Sequence, residues 1–250
     1  MAVSLGESAT CEEMDRFAHM SQDTNYDTFA EAYNAENETS LLNAYYERPA
    51  MLKLAGQVQG KTILDVGCGG GVLSEELLRR GATVHGFDAS QAMLDIARRR
   101  LGAQAQLKCA DLSEPLPYAE NSFDDACASL VLHYLQDWSA PLAELRRVLK
   151  PGGRLLISVN HPFLYPLTHQ GVQYFKTTKY TDELEFDGQQ GSLTYWHRPL
   201  HAMSDAFARA GFSIELISEP PYSKEAPNEL VPENLKDRDA FVSFIFFVLR

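Results

Sequence analysis

Short apolar runs alternate with helical patterns of apolar residues between positions 62 and 159. Short continuous runs indicate strands, whereas apolar residues that recur every three or four positions indicate amphipathic helices. The predicted strands cover residues 62–66, 82–87, a segment at Leu107, 123–130 and 154–159, and the predicted helices cover residues 72–78, 91–101 and 140–149. Alternating strands and helices are typical of a parallel sheet with right-handed crossovers. The pattern therefore predicts an α/β fold.

Helical spacing also precedes the first strand. Between Tyr26 and Tyr46, apolar positions predict two amphipathic segments, which the polar stretch 34–40 separates. A third segment, 49–54, begins with a proline, and proline is favoured at the first position of a helix. Residues 1–24 are polar and unpatterned, so we interpret them as a mobile tail.

The alternation stops between residues 161 and 199, where aromatic residues are frequent. The sequence Asp187-Gly188-Gln189-Gln190-Gly191 predicts a turn between two strand-like arms, and hence an inserted hairpin. A helix over 200–210 and a strand over 212–217 follow. The apolar run 240–249 is about half the ~20 residues that a membrane-spanning helix needs, so it predicts a last, buried strand.

Charge and composition restrict the partners of the chain. The 250 residues include 22 Lys and Arg against 34 Asp and Glu, a formal net charge of −12. An acidic chain without a basic cluster disfavours nucleic acids and anionic membranes and tolerates neutral or cationic small molecules. The four cysteines form no Cys-x-x-Cys pair, so no metal site is predicted. The first twenty residues lack the apolar core of a secretory signal, and we expect a cytoplasmic protein.

A glycine-rich loop joins the first strand to the next helix. Asp65-Val66-Gly67-Cys68-Gly69-Gly70-Gly71 allows the backbone to turn sharply and to approach a ligand closely. A dinucleotide fingerprint needs Gly or Ala three residues after its second glycine, where this chain has Val72. The carboxylate of Asp65 would also repel a pyrophosphate at the helix N-terminus. The loop therefore favours a cationic ligand over NAD.

This loop resembles the first motif of the class I S-adenosylmethionine-dependent methyltransferases, in which alternating glycines follow an acid. Asp65, Gly67, Gly69 and Gly71 match that motif as they stand. The similarity spans about residues 60–160 and continues at Asp88, at Asp111, and in the segments 123–130 and 149–155. It implies a Rossmann-like, seven-stranded, mostly parallel sheet with helices on both faces and an antiparallel last strand. It also implies S-adenosyl-L-methionine as cofactor and S-adenosyl-L-homocysteine as product.

The resemblance implies a set of cofactor-binding residues around the strand ends. They are Tyr33, Arg48, Asp65, Gly67, Cys68, Gly69, Asp88, Ala89, Met93, Asp111, Leu112 and Ser129. In this interpretation Asp88 accepts hydrogen bonds from the ribose, Asp111 accepts one from the adenine amino group, and Arg48 or Tyr33 meets the terminal carboxylate. The alternatives are that Asp88 caps the following helix, that Asp111 is an ordinary turn acid, and that Arg48 is solvated while the tyrosines pack the helices.

Catalysis on a sulfonium needs positioning more than activation. The methyl group is already activated, so the enzyme holds a nucleophile in line and excludes water. Ligands of doubly wound sheets lie over the carboxyl ends of the strands, where the loops after the fourth and fifth strands carry His133 and His161. Either imidazole is a candidate base for a hydroxyl or amine, and the alternative is a hydrogen-bonded wall residue.

The aromatic residues of the insertion have two interpretations. Tyr165, Tyr174, Phe175, Tyr195 and Trp196 either form an aromatic acceptor pocket or the hairpin's own core. The sequence thus predicts methyl transfer to a small molecule, with oxygen or nitrogen favoured. An NAD-dependent oxidoreductase and a non-catalytic cofactor binder are the alternatives. The predicted division is a tail over 1–24 and one domain over 25–250, in which 25–58 form a helical lid, 60–160 the cofactor-binding core and 162–199 a substrate-site insertion.

Overall fold

The computed structural model describes residues 26–186, 188–238 and 240–250, and a seven-stranded sheet lies at its centre. Its strands are β1 (Thr62–Val66), β2 (Thr83–Asp88), β3 (Ala105–Cys109), β4 (Phe123–Ser129), β5 (Leu149–Asn160), β8 (Ile214–Ser218) and β9 (Phe244–Leu249). The strand order is β3-β2-β1-β4-β5-β9-β8. Strands β1 to β5 pair in parallel, and β9 pairs antiparallel with both β5 and β8. The predicted fold class is confirmed.

Helices cover both faces of this sheet. They are α1 (Ala30–Thr39), α2 (Arg48–Ala55), α3 (Val72–Arg79), α4 (Gln91–Leu101), α5 (Ser139–Val148), α6 (Leu164–Thr168) and α7 (Leu200–Arg209). Successive strand residues point to opposite faces, so Leu64 packs in one core cluster with Trp138 and Phe207, whereas Ile63 packs in another with Met51. Both faces of the central strands are buried, which explains their continuous apolar runs.

The helices before β1 differ from the prediction in one way. The polar stretch 34–40 does not break the first helix, because α1 continues to Thr39 and the Asn34 side chain donates to Glu38 one turn on, at 2.7 Å. The third predicted segment is confirmed, because α2 covers Arg48–Ala55 with Pro49 in its first turn, directly after a π-helical turn over Asn43–Glu47. A proline cannot donate to the carbonyl four residues earlier. Here that carbonyl, on Tyr45, accepts from the Ser223 backbone at 2.5 Å instead.

The inserted hairpin is confirmed, although its turn is shorter than predicted. Strands β6 (Thr178–Phe186) and β7 (Gln189–His197) pair antiparallel, with Phe186 opposite Gln189, so the predicted turn residues 189–191 belong to β7. The hairpin packs on the helices before β1 through Phe29, Phe186 and Leu193. The predicted tail, residues 1–24, and Asp187 lie outside the described residues. Within 26–186, 188–238 and 240–250, no helix is long and apolar enough to cross a membrane.

Candidate functional site

A cavity of about 1090 Å³ opens over the carboxyl ends of β1, β2 and β4, beneath α1 and the start of α2. Every residue that the sequence analysis proposed for cofactor binding lines it: Tyr33, Arg48, Asp65, Gly67, Cys68, Gly69, Asp88, Ala89, Met93, Asp111, Leu112 and Ser129. Their individual roles toward a ligand remain predictions. The volume exceeds the range of about 300–1,000 Å³ typical of one small-molecule pocket, so a cofactor and an acceptor can share it.

The glycine loop passes closely under the lid helix. Gly67 has a φ of +65°, and a Cβ there would lie 2.7 Å from the Val131 side chain. A Cβ on Gly70 would lie only 2.0 Å from Oδ1 of Asn34 in α1. Side chains at these two positions would push the loop away from α1 and from the β4 end, so the glycines allow the compact floor of the cavity.

Asp88 links the glycine loop to the start of α4. Its Oδ2 accepts from the Gly69 backbone N–H at 2.8 Å, and its Oδ1 accepts from the Ser90 N–H at 2.9 Å. The helix cap is Ser90, whose Oγ accepts from the Met93 N–H at 3.1 Å. Each carboxylate oxygen keeps a further lone pair. Asp88 can therefore hold the glycine loop and, at the same time, accept hydrogen bonds from the hydroxyl groups of a ligand in the cavity.

Asp111 forms the turn that its alternative interpretation describes. Its Oδ1 accepts from both the backbone and the hydroxyl of Ser113, each at 2.8 Å, which is an Asx turn. None of the described residues donates to Oδ2. Because Asp111 also lines the cavity, the turn leaves this second oxygen to a ligand, and the two interpretations are compatible.

Six acidic residues line the cavity and give it negative charge: Asp27, Glu47, Asp65, Asp88, Asp111 and Asp137. Asp65 is 1% exposed, and Ser74 Oγ donates to it at 2.6 Å; burial raises the pKa of Asp65 to about 7. Glu47 is 4% exposed, and burial raises its pKa also. Loss of hydration raises the pKa of the half-buried Asp88. None of the three pairs with a cation among the described residues, so charge of one sign accumulates here, which is unfavourable without a ligand.

Arg48 brings a positive charge to the same cavity. Its Nη2 donates to the Asn37 backbone carbonyl at 2.6 Å and to the Asn37 side chain at 3.0 Å. In the described parts of the chain, no carboxylate forms an ion pair with the guanidinium. S-Adenosylmethionine carries a sulfonium, an ammonium and a carboxylate, so these charges fit it. A diphosphate would face the three acids instead.

Neither candidate base lines the cavity. His133 is buried, its Nδ1 accepts from the Asn160 N–H at 3.2 Å, and burial lowers its pKa to about 3. The Nδ1 of His161 accepts from the Phe163 N–H at 3.0 Å, and its Nε2 lies 2.8 Å from Glu219 Oε1. Both rings have the contacts of wall residues, which was the alternative interpretation. The base role stays a prediction that this geometry does not support.

Aromatic side chains form the upper wall of the cavity. Tyr26 and Tyr33 line it from the lid, Tyr134 lines it after β4, and Trp196 lines it from the hairpin. The hydroxyls of Tyr26 and Tyr134 share a short hydrogen bond that joins the lid to the β4 loop. Other aromatic residues of the insertion pack among themselves or face solvent: Tyr165, Tyr174, Phe175 and Tyr195. Of these five insertion residues, Trp196 lines the cavity and the other four do not, and the acceptor pocket stays a prediction.

Glu47 is a cavity residue that was not predicted from the sequence. This residue lines the cavity, and its Oε1 accepts from the hydroxyls of Ser129 at 2.7 Å and Ser158 at 2.5 Å. A signal was present in the sequence, because Ala50 and Met51, three and four residues later, are buried and lie on the same helical face. An acid on an apolar face points to a buried carboxylate with polar partners.

Known proteins resemble this chain over most of the described core. A family model described as a methyltransferase domain matches residues 64–157. A demethylmenaquinone methyltransferase of Tropheryma whipplei is 33% identical over 153 residues, and the match spans 60% of this chain and 64% of that relative. A ubiquinone biosynthesis O-methyltransferase of Coxiella burnetii is 33% identical over 172 residues, covering 65% of this chain and 68% of that relative.

A solved structure extends the similarity beyond the family model. The S-adenosylmethionine-dependent methyltransferase of Mesorhizobium loti is 26% identical, with a TM-score of 0.64, and the match covers 84% of this chain and 99% of that one. The family model, the aligned relatives and the structural similarity lead to one assignment. The chain belongs to the methyltransferase domain family, within the class I S-adenosylmethionine-dependent methyltransferases.

Proposed function

We propose that this protein transfers a methyl group from S-adenosylmethionine to an oxygen or nitrogen atom of a small aromatic molecule. The observation that carries the proposal is the charge of the cavity, in which Glu47, Asp65 and Asp88 lack cationic partners among the described residues and Arg48 lacks an anionic one. This arrangement suits a ligand with two positive groups and one carboxylate. The net charge of −12 supports a small-molecule acceptor rather than a nucleic acid.

The residues of this chain would mainly position the reactants. When bound, S-adenosylmethionine supplies a methyl group that its positive sulfur already activates. The glycine loop and Asp88 would hold the nucleoside, while Tyr26 and Tyr134, joined by their hydroxyls, would close the cavity to water. Such positioning contributes several kcal/mol to the lowering of a barrier.

The lining residues also favour a particular kind of acceptor. Burial raises the pKa of Tyr26 and of Tyr134 well above the usual value, so both phenols stay protonated at neutral pH. One of them donates in the hydrogen bond that joins the pair, so at most one O–H of the pair is left to donate to an acceptor. Neither His133 nor His161 lines the cavity. An acceptor with an acidic hydroxyl, such as a phenol, suits this site because it loses its own proton readily. Flat rings also fit beside Tyr33 and Trp196.

Both curated relatives have names that refer to quinone pathways, and one name specifies O-methylation. The second name supports an oxygen atom as the first acceptor to test. The structure of this chain is equally compatible with an aromatic amine, because the same walls and donors would hold it.

A turnover assay with an acceptor panel tests the proposal. The full chain would be incubated with S-adenosylmethionine and, separately, phenols, catechols, hydroxyquinones, aromatic amines and aliphatic hydroxy acids, and release of S-adenosylhomocysteine would be followed. We expect release with at least one aromatic acceptor and faster release as its hydroxyl becomes more acidic. Binding of S-adenosylhomocysteine with no turnover on any aromatic acceptor would instead indicate a non-catalytic cofactor binder.

A further inference from the structure

Glu47 is a buried carboxylate of the cavity and has no role in the function proposed so far beyond its charge. It ends the π-helical turn Asn43–Glu47, and such turns often occur at functional sites. The turn places Glu47 and Arg48 consecutively along the chain, and both line the cavity. A carboxylate and a guanidinium thus lie together at the point where the lid meets the ends of β4 and β5.

Two hydroxyls fix the position of the Glu47 carboxylate. Ser129 at the end of β4 and Ser158 in β5 both donate to its Oε1, at 2.7 and 2.5 Å. Ser158 Oγ in turn accepts from the Leu130 N–H at 3.0 Å. Leu130 has a φ of +50°, a conformation that is uncommon for a residue other than glycine and that often occurs at binding sites. The Ser158 hydroxyl therefore links Glu47 to this strained turn.

The second carboxylate oxygen is unused by the protein. None of the described residues donates to Oε2 of Glu47, and none forms an ion pair with it. A purely structural role would be complete with the two serine bonds, which use Oε1 alone. A cationic group of a ligand would supply the missing partner.

We propose that Glu47 binds the α-ammonium group of S-adenosylmethionine and S-adenosylhomocysteine, so that Glu47 and Arg48 together recognise the amino-acid end of the cofactor. The proposal rests on the proposed function, because it assumes that this cofactor occupies the cavity. Glu47 is then a specificity-determining residue: it distinguishes the complete cofactor from nucleosides that lack the amino-acid group.

Two ligands and two variants test this assignment by calorimetry. S-Adenosylhomocysteine carries the amino-acid group, whereas methylthioadenosine has the same nucleoside and thioether without it. Glu47→Gln removes the charge but keeps an oxygen that can accept from Ser129 and Ser158. Glu36→Gln makes the same change in α1 at an exposed acid that does not line the cavity, and it serves as the matched control.

We expect Glu47→Gln to weaken S-adenosylhomocysteine binding by about tenfold to a hundredfold, the worth of a charge-assisted hydrogen bond, and to leave methylthioadenosine binding within about twofold of the parent protein. Glu36→Gln should leave both affinities unchanged. Equal weakening for both ligands would show a structural role and overturn the proposal, as would unchanged S-adenosylhomocysteine binding. If the parent protein bound neither ligand, the proposed function itself would fail.

Discussion

Asp65 should make this protein less stable when it is ionised and the cavity holds no ligand. The carboxylate is 1% exposed, and burial raises its pKa from the ordinary 3.8 to about 7. At about 1.36 kcal/mol per pH unit, this rise corresponds to a cost of about 4 kcal/mol at pH 8. That value is a ceiling, because water that enters the cavity would reduce the cost.

The pH dependence of this effect has a defined sign. An acid whose pKa is raised by folding costs nothing below its unfolded pKa, near 3.8, and costs most above its folded pKa, about 7. The cost therefore grows between about pH 4 and pH 7. Asp65→Asn removes the charge, while the new amide oxygen can still accept from Ser74 Oγ.

The assay is urea unfolding of the ligand-free protein at pH 8 and at pH 5, with the free energy of unfolding extrapolated to water. We expect Asp65→Asn to be more stable than the parent by up to about 4 kcal/mol at pH 8 and by clearly less at pH 5. The same variant should bind S-adenosylmethionine more weakly, since it removes an attractive carboxylate.

A second variant provides a control of opposite sign. Asp124 accepts from Lys150 at 2.7 Å, and this hydrogen bond lowers the pKa of Asp124. Asp124→Asn should therefore destabilise the protein at pH 8, and the loss should shrink as the pH falls through the pKa of Asp124. Two results would refute the reasoning about Asp65. One is that Asp65→Asn is less stable than the parent protein at pH 8, and the other is that its gain in stability is the same at pH 5 as at pH 8.

Two further predictions concern the cavity floor and the histidines. Gly70→Ala places a Cβ 2.0 Å from Asn34 Oδ1 and should lower the free energy of unfolding by about 1–3 kcal/mol, measured by thermal unfolding. The double variant Gly70→Ala with Asn34→Ala should recover most of this loss. If it recovered none, the contact with Asn34 would not be the cause. His133→Gln and His161→Gln should each keep kcat within about threefold of the parent value in the turnover assay. A general base usually contributes about a hundredfold or more to the rate, so a decrease of kcat by that factor in one variant would identify the substituted histidine as the base.

The sequence predicted the sheet well because its strands are buried on both faces. A short apolar run such as 62–66, followed by glycines, is best explained as a buried strand. The glycine loop after β1 also marks the edge of the sheet at which ligands bind. Strand β3 alternates half-buried and exposed residues, so its pattern was weak, and only Leu107 indicated it. The extent of β5 was also missed, since it begins at Leu149, where it pairs with Phe123 before a register shift.

The contacts that the sequence did not show join residues far apart along the chain. Glu47 meets Ser158 across 111 positions, and nothing near Glu47 in the sequence specifies that partner. The histidines were predicted to face the ligand from their place after β4 and β5. Instead, His133 accepts from the Asn160 N–H, 27 positions away, and His161 contacts Glu219, 58 positions away, so both rings lie in the wall. Position at a strand end was predictable, whereas side-chain direction depended on these tertiary contacts.

A cavity lined by several carboxylates, of which Glu47, Asp65 and Asp88 form no ion pair among the described residues, should accept a cationic nucleoside and exclude a diphosphate. Parallel calorimetric titrations of the full chain with S-adenosylmethionine and with NAD, at pH 7.5 and equal ionic strength, test this claim most directly. We expect a saturable one-to-one isotherm for S-adenosylmethionine and no saturable heat for NAD. Saturable binding of NAD, with no heat from S-adenosylmethionine, would contradict the account.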